Sequence, residues 1–594
     1  MGEKTDTSAL ASYRAIDMEA SSDKLFCCRW VRNKVPLAHR EELYHILRMT
    51  GPLLLSRILN YLLPFVVTMF CGRLGNDVMA GYGLASATIN VTTAATGYGL
   101  GLACDTLVSQ TFGGRNLLRV GVILQRGIII LLLFCLPCWG LLINAKAILL
   151  CVGQDPEVAM FLHNLQVSYL QNQGIILPQM YTAAMANIAN LVTNYVFLHW
   201  LDLGVSGSAA ANTLSQIYIC ASLFAYIWWK KLHVKTWGGW SVESLQEWGS
   251  YMKLAIPSTL MKCFEWWVYE FGGFFAGMLS EDELAAQHAV IMVAFITYMF
   301  PLGVQAAACA RVGNALGAGD SARAILTSKM SLTLAGSMAV VEGLVLGSTK
   351  TVIGSIFTSD EKIIGLVSHL MNAYCFLQFF DGLVCVCTGI FLGTGKQKIP
   401  AVANFIGYYC IGLSLSITLI FVAKLRVLGF WLGLLVCVIL QSTFYIIVIF
   451  KLNWERMTEE VGFSAPEFGL QYQTVPSKPT VFVTRKGLCL LAGAETSSEE
   501  HSHDITKHSC TTQDGHVVQQ VKGGRLSTTQ LILRRGLTMF LAVGLLAVGA
   551  SVHFLAPFPQ TFSSEANFTK AWINSTYTPD QILSTVLVPN EESA

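Results

Sequence analysis

Four carboxylates lie inside long apolar runs of this chain: Asp105, Glu265, Glu270 and Asp381. An ionisable side chain at membrane depth is energetically costly, so each one is a candidate functional group. Glu265 and Glu270 belong to the segment Phe-Glu-Trp-Trp-Val-Tyr-Glu, which begins at residue 264. Five positions of an α-helix amount to about 140° of rotation, so these two acids are predicted to lie on different helix faces.

Each of these two acids has an aromatic residue four positions away, on its own helix face. Tyr269 follows Glu265, and Trp266 precedes Glu270. A carboxylate beside an aromatic face suits a desolvated organic cation, because it offers charge pairing and a π surface. A buried carboxylate can instead hold a proton near neutral pH. A site that accepts either a proton or an organic cation has the chemistry of an antiporter.

The same residues could instead have purely structural roles. Trp266 and Trp267 are also typical of the aromatic belt at a membrane surface. Glu265 could be a helix-packing acid that is paired with Lys262, one turn earlier. The sequence leaves both alternatives open.

The other intramembrane charges are less specific. Asp105 is expected at the solvated cytoplasmic end of its span, near Arg115, and whether Asp381 is a second proton site is left open. Arg57 either pairs with a carboxylate across the lobes or extends to the membrane surface. No phosphate-binding loop, metal-ligand spacing or nucleophile elbow occurs, so no cofactor, no metal and no enzymatic activity are predicted.

The elements that must position these groups are membrane helices. The chain of 594 residues is 53% hydrophobic and only 13% charged, and apolar runs of about 20 residues recur. A net charge of +2 gives no reason to expect a nucleic-acid partner. The spans are predicted near 51–71, 80–104, 119–145, 178–200, 206–228, 252–275, 285–306, 327–348, 364–391, 400–422, 429–450 and 536–556, with a short apolar piece at 158–170.

The chain also repeats itself, which predicts two pseudo-symmetric lobes of six helices and one extra C-terminal span. Phe-Cys-Gly-Arg-Leu at 70–74 recurs as Phe-Ala-Gly-Met-Leu at 275–279, and the segment 109–116 recurs at 313–320. The offset between the copies grows from about 205 to 222 residues. The first lobe therefore lacks about 17 residues near 156–170, and span four is predicted to be truncated.

Lys and Arg cluster in alternate loops, which places the amino terminus in the cytoplasm. The sequons at Asn567 and Asn574 are then extracellular glycosylation sites, since they follow the last span. The predicted divisions are a cytoplasmic segment 1–47, an N-lobe 48–230, an interlobe linker 231–251, a C-lobe 252–451, a disordered cytoplasmic linker 452–535, a further span 536–556 and an extracellular tail 557–594.

With these residues in view, the chain resembles the multidrug and toxin extrusion (MATE) family, and within it the vertebrate type of proton/organic-cation antiporter. The resemblance covers about residues 40–455 and the last span. It is carried by the segments Cys-Asp-Thr-Leu-Val-Ser-Gln-Thr-Phe-Gly at 104–113, Gly-Val-Ile-Leu-Gln-Arg at 121–126, Glu-Trp-Trp-Val-Tyr-Glu at 265–270 and Arg-Val-Gly-Asn-Ala-Leu-Gly-Ala-Gly-Asp at 311–320.

The resemblance implies twelve core helices around a central V-shaped cavity that opens alternately to either side. It assigns proton coupling to Glu265 and to Asp381, where relatives carry glutamate, and it makes Glu270 a second cavity acid. It also assigns cavity positions to Asn90, Trp266, Tyr269 and Tyr298. The chain departs from the family at Met292, where similar proteins carry a glutamate, and at Arg57, where they carry a glutamine.

The predicted function is secondary active export that exchanges protons for organic cations such as drugs, toxins and cationic metabolites. The expected location is the plasma membrane, with membrane lipid around the chain, and the oligomeric state is left open. One alternative is a non-transporting or partner-binding membrane variant, because the first lobe is shortened. Another is a related transporter of a different substrate class, since this fold is shared by several functions.

Overall fold

The structure is a computed structural model that describes residues 36–74, 90–142, 156–201, 204–356, 360–463 and 527–555. Every regular element in these ranges is helical. The helices are α1 Leu37–Leu74, α2 Ala95–Gly113, α3 Leu117–Leu142, α4 Pro156–Asn172, α5 Leu177–Tyr195, α6 Gly204–Trp229, α7 Trp248–Leu279, α8 Glu281–Gly317, α9 Ser321–Ile353, α10 Glu361–Thr394, α11 Lys398–Val422, α12 Val427–Lys451, α13 Trp454–Phe463 and α14 Thr528–Leu555.

Some of these helices contain wider π-helical turns. A π-helical turn, Asn90–Ala94, leads into α2, and another, Val196–Trp200, extends α5. Helix α11 alternates between α-helical and π-helical stretches, the longest of the latter being Phe405–Leu413.

Eight of the described helices are long and apolar enough to cross a membrane: α3, α6, α8, α9, α10, α11, α12 and α14. The prediction of an all-α polytopic membrane protein is confirmed. Two of the remaining helices do not qualify, for different reasons. Helix α7 carries Lys253, Lys262, Glu265 and Glu270, and α4 has only 17 residues.

Each lobe has its own apolar core. In the first lobe, α2, α3, α4 and α6 bury Cys104, Val108, Phe161, Leu165 and Leu223 against one another. In the second lobe, α7, α8, α10 and α12 bury Val268, Val290, Leu377 and Trp431. The indole of Trp431 donates a hydrogen bond of 2.7 Å to the side chain of Gln287, so this large side chain is satisfied inside the core.

The two copies of the repeated motif meet where the lobes touch, at the ends of α2 and α8. A Cβ atom on Gly317 would lie 1.9 Å from the carbonyl oxygen of Gln110, and one on Gly113 would lie 2.1 Å from that of Asn314. The two contacts exchange equivalent positions of the repeat, as expected for a pseudo-two-fold axis. We call this contact the glycine seam; only glycine fits at its two centres.

Polar side chains of α2 extend the seam to the end of α10. The Thr106 hydroxyl donates to the carbonyl of Leu392 at 2.8 Å, and the Gln110 amide donates to that of Gly393 at 3.0 Å. These bonds use carbonyl groups in the last turn of α10, and that of Leu392 also accepts the backbone N–H of the capping residue Gly395 at 3.1 Å. The polar positions of the 104–113 motif therefore hold the lobes together.

A buried ion pair ties α1 to the second lobe at the same end of the molecule. Glu42 on α1 is 4% exposed, and Arg311 on α8 donates to both of its oxygens, at 2.5 and 2.6 Å. Thr327 on α9 donates to the same carboxylate at 2.7 Å. Burial alone would raise the pKa of Glu42, but the hydrogen bonds and charge of Arg311, with help from Thr327 and Arg323, hold this pKa below its usual value.

The motif at 121–126 positions the chain between the lobes. Gln125 on α3 donates to the carbonyl of Gly239 at 2.7 Å and accepts from the amide of Ser241 at 3.1 Å. Arg126 donates to the carbonyl of Glu243 at 3.2 Å. The interlobe segment, with its short 3₁₀ turns Leu232–Lys235 and Val242–Leu245, is thereby docked on the first lobe.

Helix α4 is half the length of its counterpart in the second lobe. It has 17 residues, whereas α10 has 34. The difference matches the deficit predicted from the repeat. Seventeen residues of helix rise about 25 Å, short of the hydrocarbon thickness of a typical bilayer.

The last span packs on α3 through small residues. A Cβ atom on Gly549 would lie 2.2 Å from the carbonyl oxygen of Gly140, so the two backbones are in close contact, as in small-residue packing of membrane helices. At the start of α14, the Arg535 guanidinium lies 3.9 Å from the ring centroid of Trp248. The extra span therefore contacts α3 of the first lobe and, near its start, the beginning of α7.

The expectations for the C-terminal region need two corrections. Residues 452–535 were expected to be disordered, but Trp454–Phe463 is helical because it carries an apolar face that packs on the second lobe. Helix α14 also begins at Thr528, before the predicted start of the last span at 536, since residues 528–535 continue the helical pattern. The sequons at Asn567 and Asn574 lie outside the described residues.

The glycine seam predicts that no side chain larger than that of glycine fits at residue 317. Gly317→Leu should lower the free energy of unfolding by about 1–3 kcal/mol or more, because the added side chain must displace backbone. Gly336→Leu on α9 is the matched control, since a Cβ atom there meets nothing within 4 Å. The measurement is thermal unfolding of both purified variants in detergent. Equal melting temperatures would show that the seam does not require glycine.

The Glu42 pair predicts a pH-dependent contribution to stability. A carboxyl group whose pKa is lowered by folding stabilises the fold above its unfolded pKa, and this stabilisation is lost as the pH falls through the folded value. Glu42→Gln should therefore lower the melting temperature at pH 7, by an amount that shrinks below about pH 4.5. A difference that stays constant from pH 7 to pH 3 would contradict this assignment.

Candidate functional site

Glu265 lies in the second lobe and is already neutralised by a lysine. Its side chain is 8% exposed. Lys262, one turn earlier on α7, donates to both carboxylate oxygens, at 3.0 and 2.9 Å. The hydroxyl of Tyr298 on α8 donates to the first of these oxygens at 2.7 Å. The helix-packing alternative for Glu265 therefore describes its local geometry correctly, and Lys262 is part of the site.

Asp381 on α10 lies within electrostatic range of this ion pair. It interacts with both Glu265 and Lys262. Tyr269 and Tyr298 each interact with Asp381 and Glu265. Three helices of the second lobe, α7, α8 and α10, thus bring together four of the predicted residues and one lysine that the resemblance did not assign.

Trp266 and Trp267 of α7 face the first lobe. The ring of Trp266 stacks on Tyr98 of α2, with centroids 5.9 Å apart and an interplanar angle of 22°. The indole of Trp267 donates to the carbonyl of Val91 at 3.1 Å. These contacts place both side chains at the interface between the lobes. Because their rings pack on protein, these contacts favour a place at the lobe interface over the membrane-belt alternative.

Glu270 and Asn90 do not join this cluster in the described structure. Glu270 is exposed and lies on a different face of α7 from Glu265, as the spacing of five residues predicted. Asn90 opens the π-helical turn before α2, and only its backbone is described. Their predicted roles in substrate binding stay predictions.

Two expectations for the first lobe are corrected. Asp105 does not sit at a solvated helix end near Arg115; it is half-buried and accepts a hydrogen bond of 2.7 Å from Asn172 on α4. Arg57 interacts electrostatically with Asp105, within the same lobe. Both line a cavity of about 20 Å³, which has room for one or two water molecules. The positions of Asp105 and Arg57 depend on contacts with residues of other helices, and residue spacing along the sequence does not predict such contacts.

One intramembrane acid was missed by the sequence analysis. Glu342 lies in the middle of α9, inside the predicted span 327–348. It borders a cavity of about 10 Å³ beside Pro301 and Gly382, large enough for a single water molecule. The rule that selected the other four carboxylates, a charge inside an apolar run, would have found it.

Met292 is the position at which similar proteins carry a glutamate. Its sulfur accepts a long contact of 3.9 Å from the Tyr61 hydroxyl.

A buried acid and a lysine beside aromatic rings at the contact of two repeated helical lobes place the chain among polytopic membrane proteins. The MatE family matches residues 52–196 and 257–418, which is more than half of the chain. The chain belongs to the MatE family. The two matched stretches begin 205 residues apart and end 222 residues apart, so the first is 17 residues shorter, in agreement with the short α4.

Curated relatives match over most of their length. Multidrug and toxin extrusion protein 1 of Danio rerio is 45% identical over 565 residues, covering 90% of this chain and 94% of that protein. The Homo sapiens protein of the same name is 42% identical over 541 residues, covering 87% and 94%. The chain is therefore a multi-pass membrane transporter rather than an enzyme.

Solved structures support the fold. A eukaryotic MATE transporter, AtDTX14, superposes with a TM-score of 0.67 at 24% identity, covering 72% of this chain and 99% of that one. An outward-facing MATE family transporter superposes with a TM-score of 0.60 at 16% identity, covering 71% and 96%. The predicted architecture of two pseudo-symmetric lobes is consistent with both.

The Lys262–Glu265 pair makes a prediction about stability. Lys262→Met and Glu265→Gln should each lower the free energy of unfolding by about 3–5 kcal/mol, because each leaves one buried charge without its partner. The double variant should recover most of the loss. Lys253→Met, at an exposed position of α7, is the control. Losses in thermal stability that simply add in the double variant would contradict the pairing.

Proposed function

We propose that the protein is a secondary active exporter that exchanges protons for organic cations by alternating access. The observation that carries the proposal is the buried carboxylate of Glu265, which lies among aromatic side chains near the contact between the lobes. Its negative charge can be balanced by an internal cation, by a proton or by a bound organic cation. A site with interchangeable positive partners is what coupled exchange requires.

The aromatic side chains supply the second half of cation recognition. Trp266 and Tyr98 present stacked rings from different lobes, and Tyr269 lies one turn from Glu265 on α7. A π face within reach of a carboxylate attracts a cation without a hydrogen-bond donor, such as a quaternary ammonium. In the proposal, Trp266, Tyr269 and Tyr298 bind substrate together with Glu270 and Asn90, whereas Glu265 and Asp381 couple it to protons.

The end of the molecule at which the two lobes are in close contact is assigned to the cytoplasm. The glycine seam and the Glu42–Arg311 pair join the lobes at the end where the basic loops lie, which the positive-inside rule places in the cytoplasm. In this proposal the described conformation is sealed toward the cytoplasm, and transport requires the seam to part. The location is the plasma membrane, with the carboxyl terminus outside.

The test of function is uptake of tetraethylammonium into proteoliposomes with an imposed pH gradient. The wild-type chain should accumulate the cation against its gradient. Asp381→Asn and the double variant Glu265→Gln/Lys262→Met should fall to the level of empty vesicles, and the second variant avoids an unpaired lysine. Glu459→Gln, an exposed acid on α13, is the control. Normal accumulation by the double variant would remove Glu265 from the mechanism.

The short α4 favours one alternative function, a membrane protein that binds a partner but does not transport. The 17 residues of α4 cover less of the first lobe than the 34 residues of α10 cover of the second lobe. A chain carrying about 17 additional apolar residues before α4, patterned on α10, separates the two functions. Accumulation by the lengthened chain alone would support the alternative for the chain as it stands.

The orientation predicts glycosylation beyond the last span. Protein from mammalian cells should lose apparent mass on glycosidase treatment, because Asn567 and Asn574 would face the lumen during synthesis. The variant Asn567→Gln/Asn574→Gln should migrate like the treated protein. A wild-type band that glycosidase leaves unshifted would argue against an extracellular carboxyl terminus.

A further inference from the structure

Lys262 occupies the position that a transported cation would need. Its ammonium lies 3.0 and 2.9 Å from the two oxygens of Glu265, and its side chain is 2% exposed. The carboxylate also accepts the Tyr298 hydroxyl at 2.7 Å. A cation that approaches Glu265 therefore meets a charge that is already balanced, and it must displace Lys262 to form its own ion pair.

The surroundings of Lys262 contain one directly bonded acid and one more distant acid. Glu265 belongs to the same helix, and Asp381 on α10 interacts with both members of the pair. The other titratable groups of the described residues that interact with the pair are Tyr98 on α2, Tyr269 on α7, Tyr298 on α8, Cys385 on α10, Tyr408 on α11 and Tyr445 on α12. In the described part of the chain, Lys262 is the basic group in direct contact with Glu265.

Displacement of Lys262 from its partner would leave a buried ammonium without a counter-ion. Such a group costs several kcal/mol in a protein interior. A lysine can relieve this cost by giving up its proton, whereas an arginine cannot, because its guanidinium remains charged at any physiological pH. The geometry thus links the arrival of a cation at Glu265 to the loss of a proton one helical turn away.

We propose that the proton exchanged against substrate is carried on the side-chain nitrogen of Lys262. The proposal rests on the proposed function and identifies the group that performs its coupling. When an organic cation pairs with Glu265, one N–H bond of Lys262 breaks, its electron pair stays on nitrogen, and the proton passes to water on the cytoplasmic side. When the cation leaves on the outer side, the amine takes a proton from water there and re-forms the ion pair. The site carries no net charge in either state, because the bound cation replaces the positive charge that Lys262 gives up with its proton.

Proton release on binding tests this directly. Wild-type protein is placed in weakly buffered detergent at pH 7.5, which is about one unit above the usual pKa of histidine. It is then mixed with tetraethylammonium, while a pH indicator measures proton release and calorimetry measures binding. About one proton should appear per cation bound. Lys262→Arg keeps the charge of the pair and should release none. Lys253→Arg, at an exposed position of α7, should behave as the wild type.

Transport provides the second readout. In proteoliposomes, Lys262→Arg should lose accumulation driven by a pH gradient, and its melting temperature should stay close to that of the wild type because the ion pair is retained. Proton release or pH-driven accumulation by Lys262→Arg at the wild-type level would overturn the assignment and leave the exporter function standing. Failure of the wild-type protein to bind or accumulate tetraethylammonium would overturn both.

Discussion

The close contact of α2 with α8 at the glycine seam is the constraint on which the rest of the arrangement depends. A backbone carbonyl of one helix can approach the other helix this closely only where the facing residue has no side chain, and the repeat supplies glycine at both equivalent positions, Gly113 and Gly317. The seam brings the first-lobe helix α2 beside α7, so that Tyr98 can stack on Trp266. The polar bonds from Thr106 and Gln110 to the end of α10 fix the same approach from the other side.

The second constraint is that a charge at membrane depth is costly, which favours pairing it with a partner. The structure satisfies it differently in the two lobes. In the second lobe, Glu265 is paired with a lysine of its own helix. In the first lobe, Asp105 is hydrogen-bonded by Asn172 and interacts with Arg57 beside a small cavity. The lobes share a shape, but their polar interiors are built from different residues, which suits a transporter whose lobes have different tasks.

The architecture was predictable from sequence because its signals are local and repeated. Apolar runs, the offset between repeat copies and the spacing of Glu265 and Glu270 each depend on positions along one chain, and each agrees with the structure. The partners of buried charges were not predictable, since they are set by which helices touch. Asp105 was misplaced because α4 supplies its partner from 67 positions away. The contact between Lys262 and Glu265 could be predicted as an alternative, because the two residues lie within one helical turn of each other.

The ion pair on α7 has an electrical consequence. A membrane potential does work of about 2.3 kcal/mol per unit charge at 100 mV on any charge that crosses the full membrane. Lys262 and Glu265 move together on one helix and carry no net charge as a pair. In the proposed exchange, the voltage across the membrane therefore neither drives nor opposes the movement of this pair, and the energy for that movement comes from concentration gradients.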